Sequence, residues 1–249
     1  MQRYVGRVVM VSGAGQGLGR AMALRFAEEG AQLALCDLNS VAVKETEQAC
    51  GPERALSSTV DVSDGAEVDQ WLYQTVANFG RVDVLVNNAG VIRDSRLETM
   101  SDNDWDTVLD VSLRGSFHCS RSAFRQMKAQ EYGRILSMSS MCWRGNFGQA
   151  NYVAAKAGIV GMARTIALEG ARHGITSNVI APGLIDTPML ASMDADAREK
   201  LASRIPAQQV GDPADIAEAA AFLCSEAARY VTGVVLDVDG GISIGSSLR

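Results

Sequence analysis

Val8-Val-Met-Val-Ser12-Gly-Ala-Gly-Gln-Gly-Leu-Gly19 is the stretch from which the fold can be read. Its first four residues are apolar, three of them β-branched, as in a strand buried on both faces. A glycine-rich turn follows, and Ala21–Ala27 then reads as a helix. Strand, glycine turn and helix in that order open a βαβ unit that can hold a dinucleotide. Gly13 permits the tight turn. Gly17 and Gly19 let backbone approach a pyrophosphate and let the helix pack on the strand. The N–H groups of the helix start then face the phosphates.

Working outward, short apolar runs recur at Leu33–Cys36, Val82–Val86, Ile135–Met138, Val179–Ala181 and Val234–Val238, with a further strand before Asp61. Helix-like stretches lie between them. In one, Ala155, Ile159, Met162 and Ile166 keep to a single helical face. The alternation predicts an α/β fold: a single Rossmann-type, doubly wound parallel sheet with helices on both faces. With only five prolines and no linker-like stretch, residues 1–249 read as one domain. The segment 183–211 breaks the rhythm and reads either as a substrate lid or as a surface insertion.

Hydrophobic residues make up 47% of the chain and charged residues 21%, ordinary for a globular protein. The net charge of −6 argues against nucleic acid or an anionic membrane as partner. Five widely spaced cysteines without a C-x-x-C pattern suit a reducing cytoplasm rather than a disulfide or zinc framework. Val8–Val11 is too short for a signal peptide or a membrane span. His118 and His173 have no ligand-like neighbours in sequence, so no metal is expected.

Asp37 follows the second strand by position. A carboxylate there accepts hydrogen bonds from both ribose hydroxyls of an adenosine and repels a 2′-phosphate. The cofactor expected is therefore NAD rather than NADP; Gln16 adds no charge, and Arg20 is the nearby cation. Asp61-Val62 is placed to meet the adenine, and Asn87-Asn-Ala-Gly90 to let backbone pass close to the cofactor.

In a helix over 150–170, Tyr152 and Lys156 are four residues apart and share a face. A lysine cation about 4 Å from the phenol, at an effective dielectric of ~20, is worth roughly 4 kcal/mol. That is about three pKa units, enough to bring tyrosine toward neutrality as a general base. Ser139, thirteen residues before Tyr152, is the hydroxyl expected to hold the substrate oxygen. Ser140 is adjacent and leaves a one-residue shift open.

These motifs resemble the classical short-chain dehydrogenase/reductase family, nearly end to end. Ser12–Gly19 matches its glycine motif with serine for threonine, Asn87–Gly90 its N-N-A-G, and Ser139, Tyr152 and Lys156 its catalytic set. Asp237-Val-Asp-Gly-Gly241 matches its final strand. The resemblance implies about seven strands and a homotetramer built from long helices, with a homodimer as the smaller alternative. It places Gly13, Gln16, Gly17, Leu18, Gly19, Asp37, Asp61, Val62, Asn88, Ala89, Gly90, Tyr152, Lys156, Pro182, Gly183, Ile185 and Thr187 around the nucleotide. Met141, Trp143, Arg144, Phe147, Met189, Leu190 and Met193 fall around the substrate by family position. For Trp143 and Phe147 plain packing is the alternative, and for Arg144 a solvated surface role.

Within the family, Gly148–Gly158 and Ile205–Gly211 look most like 3-oxoacyl-(acyl carrier protein) reductases. Two departures stand out. Ser112 replaces the asparagine that helps hold a relay water beside the lysine; serine can still hydrogen-bond water. Gln130 and His173 stand where the family's carrier-docking cations are expected. The expected activity is interconversion of a secondary alcohol and a ketone with NAD(H), on a small-molecule substrate. The rivals are a 3-oxoacyl-thioester reductase and, from another class, a weakly catalytic nucleotide-binding scaffold or redox sensor.

Overall fold

The apolar runs become strands because both of their faces find helices to pack on. The computed structural model describes residues 2–191 and 195–244. Among these, the strands are β1 (Val8–Ser12), β2 (Gln32–Asp37), β3 (Ala55–Thr59), β4 (Val84–Asn87), β5 (Gly133–Met138), β6 (Ile175–Pro182) and β7 (Val235–Val238). They form one seven-stranded parallel sheet in the order β3-β2-β1-β4-β5-β6-β7. The helices are α1 (Gly17–Glu28), α2 (Ser40–Cys50), α3 (Gly65–Phe79), α4 (Asp102–Val108), α5 (Gly115–Gln130), α6 (Ala150–Gly170), α7 (Pro188–Ala191), α8 (Ala195–Ala202) and α9 (Pro213–Leu223).

Side chains alternate between two cores, as the strand period requires. Val9, Val11, Leu33, Leu35, Val84 and Val86 face Met22 and Phe26 of α1 and Ile216 and Ala220 of α9. Met10, Ala34, Cys36, Leu85 and Ile135 face Val68 and Trp71 of α3 and Cys119, Ala123 and Met127 of α5. Each fully buried large side chain contributes roughly 1.5–3 kcal/mol.

Two details differ from the sequence expectation. β6 starts at Ile175, four residues before the apolar run, because Thr176, Ser177 and Asn178 are buried in the ladder beside β5. On α6 the buried stripe runs through Tyr152, Ala155, Lys156, Ile159, Val160, Ala163, Ala167 and Gly170. Met162 and Ile166 lie at its margin. Small residues let this helix lie close to the sheet, so its burial is poorly reported by hydrophobicity.

β1 pairs with β2 on one side and β4 on the other. The chain thus winds outward one way from β1 and then the other way from β4. That reversal opens a crevice at the carboxyl ends of the strands, where such sheets bind ligands. The 183–211 segment is tied at its base: Asp186 N–H donates to Gly211 O at 2.9 Å and Gly211 N–H to Leu184 O at 3.0 Å. Among the described residues no helix is long and apolar enough to cross a membrane.

Candidate active site

The glycine turn and the end of β4 are built into each other. Gly13 has φ +63°, and a Cβ on it would sit 2.9 Å from Ala89 Cα. A Cβ on Gly19 would land on Gly13 O. Ser12 Oγ accepts from Asn88 N–H at 3.1 Å and Ala89 N–H at 3.2 Å. Asn88 Nδ2 donates to Ser12 O and Gly13 O at 3.1 and 2.9 Å. Asn88 therefore shapes the cradle rather than presenting a free amide. Asn87 Nδ2 donates inward, to Ser120 Oγ and Ser137 Oγ.

Gln16 N-caps α1 without a side-chain hydrogen bond, which leaves the first N–H groups of the helix for an anion. Leu18 packs on the core below. Asp37, at the end of β2, folds back on the turn: its Oδ2 accepts from Gly15 N–H at 2.9 Å, its Oδ1 from Asn39 N–H at 3.0 Å. Asp61 Oδ1 accepts from Ser63 N–H and Oγ. Val62 is buried against α5, near Gly115. On the opposite rim, β6 ends at Pro182 and Gly183 N–H donates to Val238 O at 3.0 Å. Ile185 is buried, and a Cβ on Gly17 would lie 3.8 Å from Thr187 Cβ. The base of the 183–211 segment thus faces the glycine turn.

The proton-transfer residues converge at the ends of β4 and β5. Tyr152 and Lys156 are both buried, one turn apart on α6. Lys156 Nζ donates to Met138 O at 2.8 Å and lies 5.5 Å from the Tyr152 ring centroid. Burial lowers Lys156 to about 8. Burial raises Tyr152 to about 12, against a hydrogen bond from the Ser140 side chain that lowers it. Desolvation, and not the expected lysine charge, dominates the phenol in this structure, where the Lys156 ammonium is drawn onto a strand-end carbonyl.

The serine assignment needs correction. Ser139 Oγ donates to Lys156 O at 2.9 Å, on the backbone of α6. Its neighbour Ser140 meets the Tyr152 phenol. Consecutive residues leaving a strand point to opposite sides, so one hydroxyl braces the helix and the other faces the site. Counting thirteen residues back from Tyr152 presumes a loop length that this chain does not have; the tandem Ser139-Ser140 was the available signal.

Ser112 lies in a π-helical turn, Leu109–Arg114, between α4 and α5. It is fully buried, and among the described residues its Oγ has no hydrogen-bond partner. A Cβ on Gly90 would sit 3.3 Å from that Oγ and 3.5 Å from Lys156 Nζ. The unpaired hydroxyl and the lysine therefore flank one small polar gap.

The residues expected around the substrate divide. Met141 is partly buried on the turn after Ser140, and Leu190 is buried on α7. Trp143 is partly buried and packs instead against the cluster of Ile159, Val160, Ala163 and Val179 between α6 and the sheet. Arg144 pairs in bidentate fashion with Asp237 of β7 at 2.8 and 3.2 Å. Phe147 is 82% exposed, with the Arg96 guanidinium 5.7 Å from its ring centroid. Met193 and the side chain of Met189 lie outside the described residues. The sequence reading missed Cys142, which packs with Val91 and Ile92 against the cluster of Val108, Tyr152 and Ala155. It also missed Asp94, whose carboxylate accepts from Gln149 Nε2. No residue pattern singles these out; loop packing alone brings Cys142 to the Tyr152 cluster and Asp94 to Gln149.

The residues fit a dinucleotide. The glycine cradle has backbone where a Cβ would collide, an open helix start, a carboxylate at the ribose end and a buried unpaired hydroxyl beside a lysine.

Residues 13–243 match the family model described as enoyl-(acyl carrier protein) reductase. The chain is similar to subunit BbsD of (2S)-[(R)-hydroxy(phenyl)methyl]succinyl-CoA dehydrogenase from Thauera aromatica, at 41% identity over 96% of this chain and 97% of that one. It is similar to the 3-oxoacyl-[acyl-carrier-protein] reductase FabG of Thermotoga maritima, at 40% identity over 97% of this chain and 100% of the relative. Among solved structures it is similar to levodione reductase, with a TM-score of 0.94 and 36% identity over 98% of this chain and 100% of the other.

Proposed function

Since the chain belongs to the short-chain dehydrogenase/reductase family, nicotinamide-dependent enzymes that act on CH–OH and ketone groups, we propose that it interconverts a secondary alcohol and a ketone with NAD(H), using Tyr152 as acid/base. The observation that carries this reading is the buried Tyr152 phenol, met by the Ser140 hydroxyl, one turn from Lys156 and at the mouth of the glycine cradle.

Gly13, Gly17, Gly19, Ala89 and Gly90 line the nucleotide, with Pro182, Gly183, Ile185 and Thr187 on the far rim. Asp37 takes the ribose hydroxyls and disfavours a 2′-phosphate, which supports NAD over NADP. The nicotinamide, when bound, exchanges hydride with the carbinol carbon. Ser140 donates a hydrogen bond to the substrate oxygen, and Tyr152 gives or takes the proton at that oxygen. Burial favours the protonated phenol in the free protein, the form that donates a proton when a ketone is reduced. Lys156 fixes the ribose, and Ser112 with Lys156 holds the water that passes protons outward.

The relatives named for 3-oxoacyl and succinyl-CoA substrates favour a thioester of a 3-oxo or 3-hydroxy acid as substrate. A carrier protein is less favoured than a free thioester, because Gln130 is tied to both N–H and C=O of Val82 instead of presenting a cation. The test is oxidation of NADH and NADPH, in parallel, with acetoacetyl-CoA. We expect NADH to be the better donor, and Tyr152→Phe to lower turnover by roughly 10²–10⁴-fold with nucleotide binding kept. A nucleotide-binding scaffold would be indifferent to the phenol.

A further inference from the structure

Tyr152 stands on the first turn of α6, where backbone N–H groups have no partner inside the helix. An N-cap side chain ordinarily takes the N–H of the second or third helical residue. Gln149, the N-cap of α6, makes no such bond. Its amide donates to both oxygens of Asp94 instead, at 3.0 and 2.9 Å. The third helical residue is Tyr152 itself, and its N–H donates to Asn151 Oδ1 at 2.7 Å. The helix is therefore capped from within, at the residue that carries the phenol.

The other end of the Asn151 amide is used as fully. Asn151 is buried completely. Its Nδ2 donates to Arg93 O at 2.9 Å and to Asp104 O at 3.1 Å. Both carbonyls belong to segments that wall in Tyr152. Arg93 follows Val91 and Ile92 in the loop after β4, and Asp104 lies one turn before Val108 on α4. Val108 clusters with Tyr152 and Ala155, and Val91 and Ile92 pack against that cluster. α4 then runs into the π-helical turn that holds Ser112. One side chain thus ties the Tyr152 backbone to both walls. Two donors and an acceptor on so short a side chain are found only in asparagine.

We propose that Asn151 is a positioning residue that fixes where the Tyr152 phenol stands against Ser140 and Lys156. The inference rests on the alcohol–ketone reading above and names a residue that sets the position of its acid/base. Asn151 acts through Tyr152 and not on the substrate. Efficient transfer needs reacting atoms about 3–3.5 Å apart, and a misplacement of about 1 Å can cost roughly 10²-fold in rate. Without the amide, Tyr152 N–H and two loop carbonyls lose their partners in a buried place, and the three segments must part to satisfy them.

The test uses two variants. Asn151→Ala removes all three bonds. Asn151→Asp keeps the volume and the acceptor for Tyr152 N–H but sets carboxylate oxygen against the two carbonyls. Turnover is followed with NADH and acetoacetyl-CoA, cofactor affinity by NADH fluorescence, and the phenol by NMR of protein isotope-labelled at the tyrosine Cζ. The Tyr152 signal is the one of five that Tyr152→Phe removes. We expect each variant to lower kcat roughly 10- to 100-fold while NADH affinity stays within about threefold. The Tyr152 signal should shift while those of the other tyrosines stay in place. In a Tyr152→Phe background the same substitutions should cost less than about threefold in kcat, because the group they act through is gone. A folded variant with unchanged kcat and an unmoved Tyr152 signal overturns the inference. So do equal losses with and without the phenol, shifts spread over all the tyrosines, or failure of both variants to fold, each of which would make Asn151 a general brace of the fold. Absence of turnover in the wild type would instead count against the alcohol–ketone reading, and the tyrosine signals would still decide this inference.

Discussion

Ser139 and Ser140 have the same side chain and, in sequence, nearly the same claim on the site. Their surroundings differ: one hydroxyl braces the backbone of α6 and the other meets the phenol. We expect Ser140→Ala to lower kcat by about 10²-fold, as for loss of a donor to the developing oxyanion. Ser139→Ala should keep most of the activity and lose about 1 kcal/mol of stability; kcat and denaturant melts of both variants separate the roles. Lys156 makes a pH prediction. Its folded value of about 8 lies below the ordinary 10.5. Its contribution to stability is therefore complete above pH 10.5 and is lost as the pH falls through about 8. Tyr152 runs the other way, since its value is raised from 10.0 to about 12: stability present below pH 10 is lost as the pH rises through 12. Lys156→Met should then be more stable than the wild type at pH 7 by about 1–3 kcal/mol. The gain should fade toward pH 10, and turnover should be lost; melts across that range check the sign. Of the residues proposed to be catalytic, Tyr152 and Lys156 were legible because four residues make one helical turn. The choice between Ser139 and Ser140 stayed open, because the count back from Tyr152 runs through a loop.

At the scale of the element, the turn between β1 and α1 works by what its glycines lack. A methyl group on Gly19 would meet Gly13 O and the Asn88 amide that closes the cradle. Gly19→Ala is expected to weaken NADH binding at least tenfold and to cost about 1–3 kcal/mol, as overpacking does. Fluorescence titration and thermal unfolding measure the two. The same element shows why some expectations needed revision. Trp143 follows Ser140 by three residues, and family position places it at the substrate, with plain packing as the alternative. The short 3-10 turn over Met141–Arg144 swings it under the loop, onto Ile159 and Val179. On α6, alanines and a glycine share the buried stripe with Tyr152, Lys156, Ile159 and Val160, and periodicity of large apolar residues traces only part of it. Ser112 sits in a π-helical turn, a local feature that no residue type announces and that is common at functional positions.

Over the whole molecule, large apolar side chains remain in water on elements that the sheet does not cover: Phe117 on α5, Leu168 on α6, Phe222 on α9 and Tyr230 just before β7, the last 99% exposed. Exposed groups of this kind mark association surfaces where they join into a contiguous patch. We expect a homotetramer by light scattering, and smaller species when Leu168→Asp and Tyr230→Asp are combined. A monomeric wild type would refute this. The sequence by itself determined the parallel α/β sheet, the glycine cradle, the carboxylate of Asp37 and the Tyr152–Lys156 pair. Each of these is local: a strand period, a helical turn or a steric need for glycine, all written within a few residues. Only the tertiary structure decided which serine meets the phenol, that Trp143 packs against the Ile159 and Val179 cluster, that Arg144 pairs with Asp237 of β7, and that Asp94 pairs with Gln149. Those outcomes depend on how loops from β4, β5 and β7 close over one helix. Packing between segments 50 to 90 residues apart is not encoded in the pattern of any one of them.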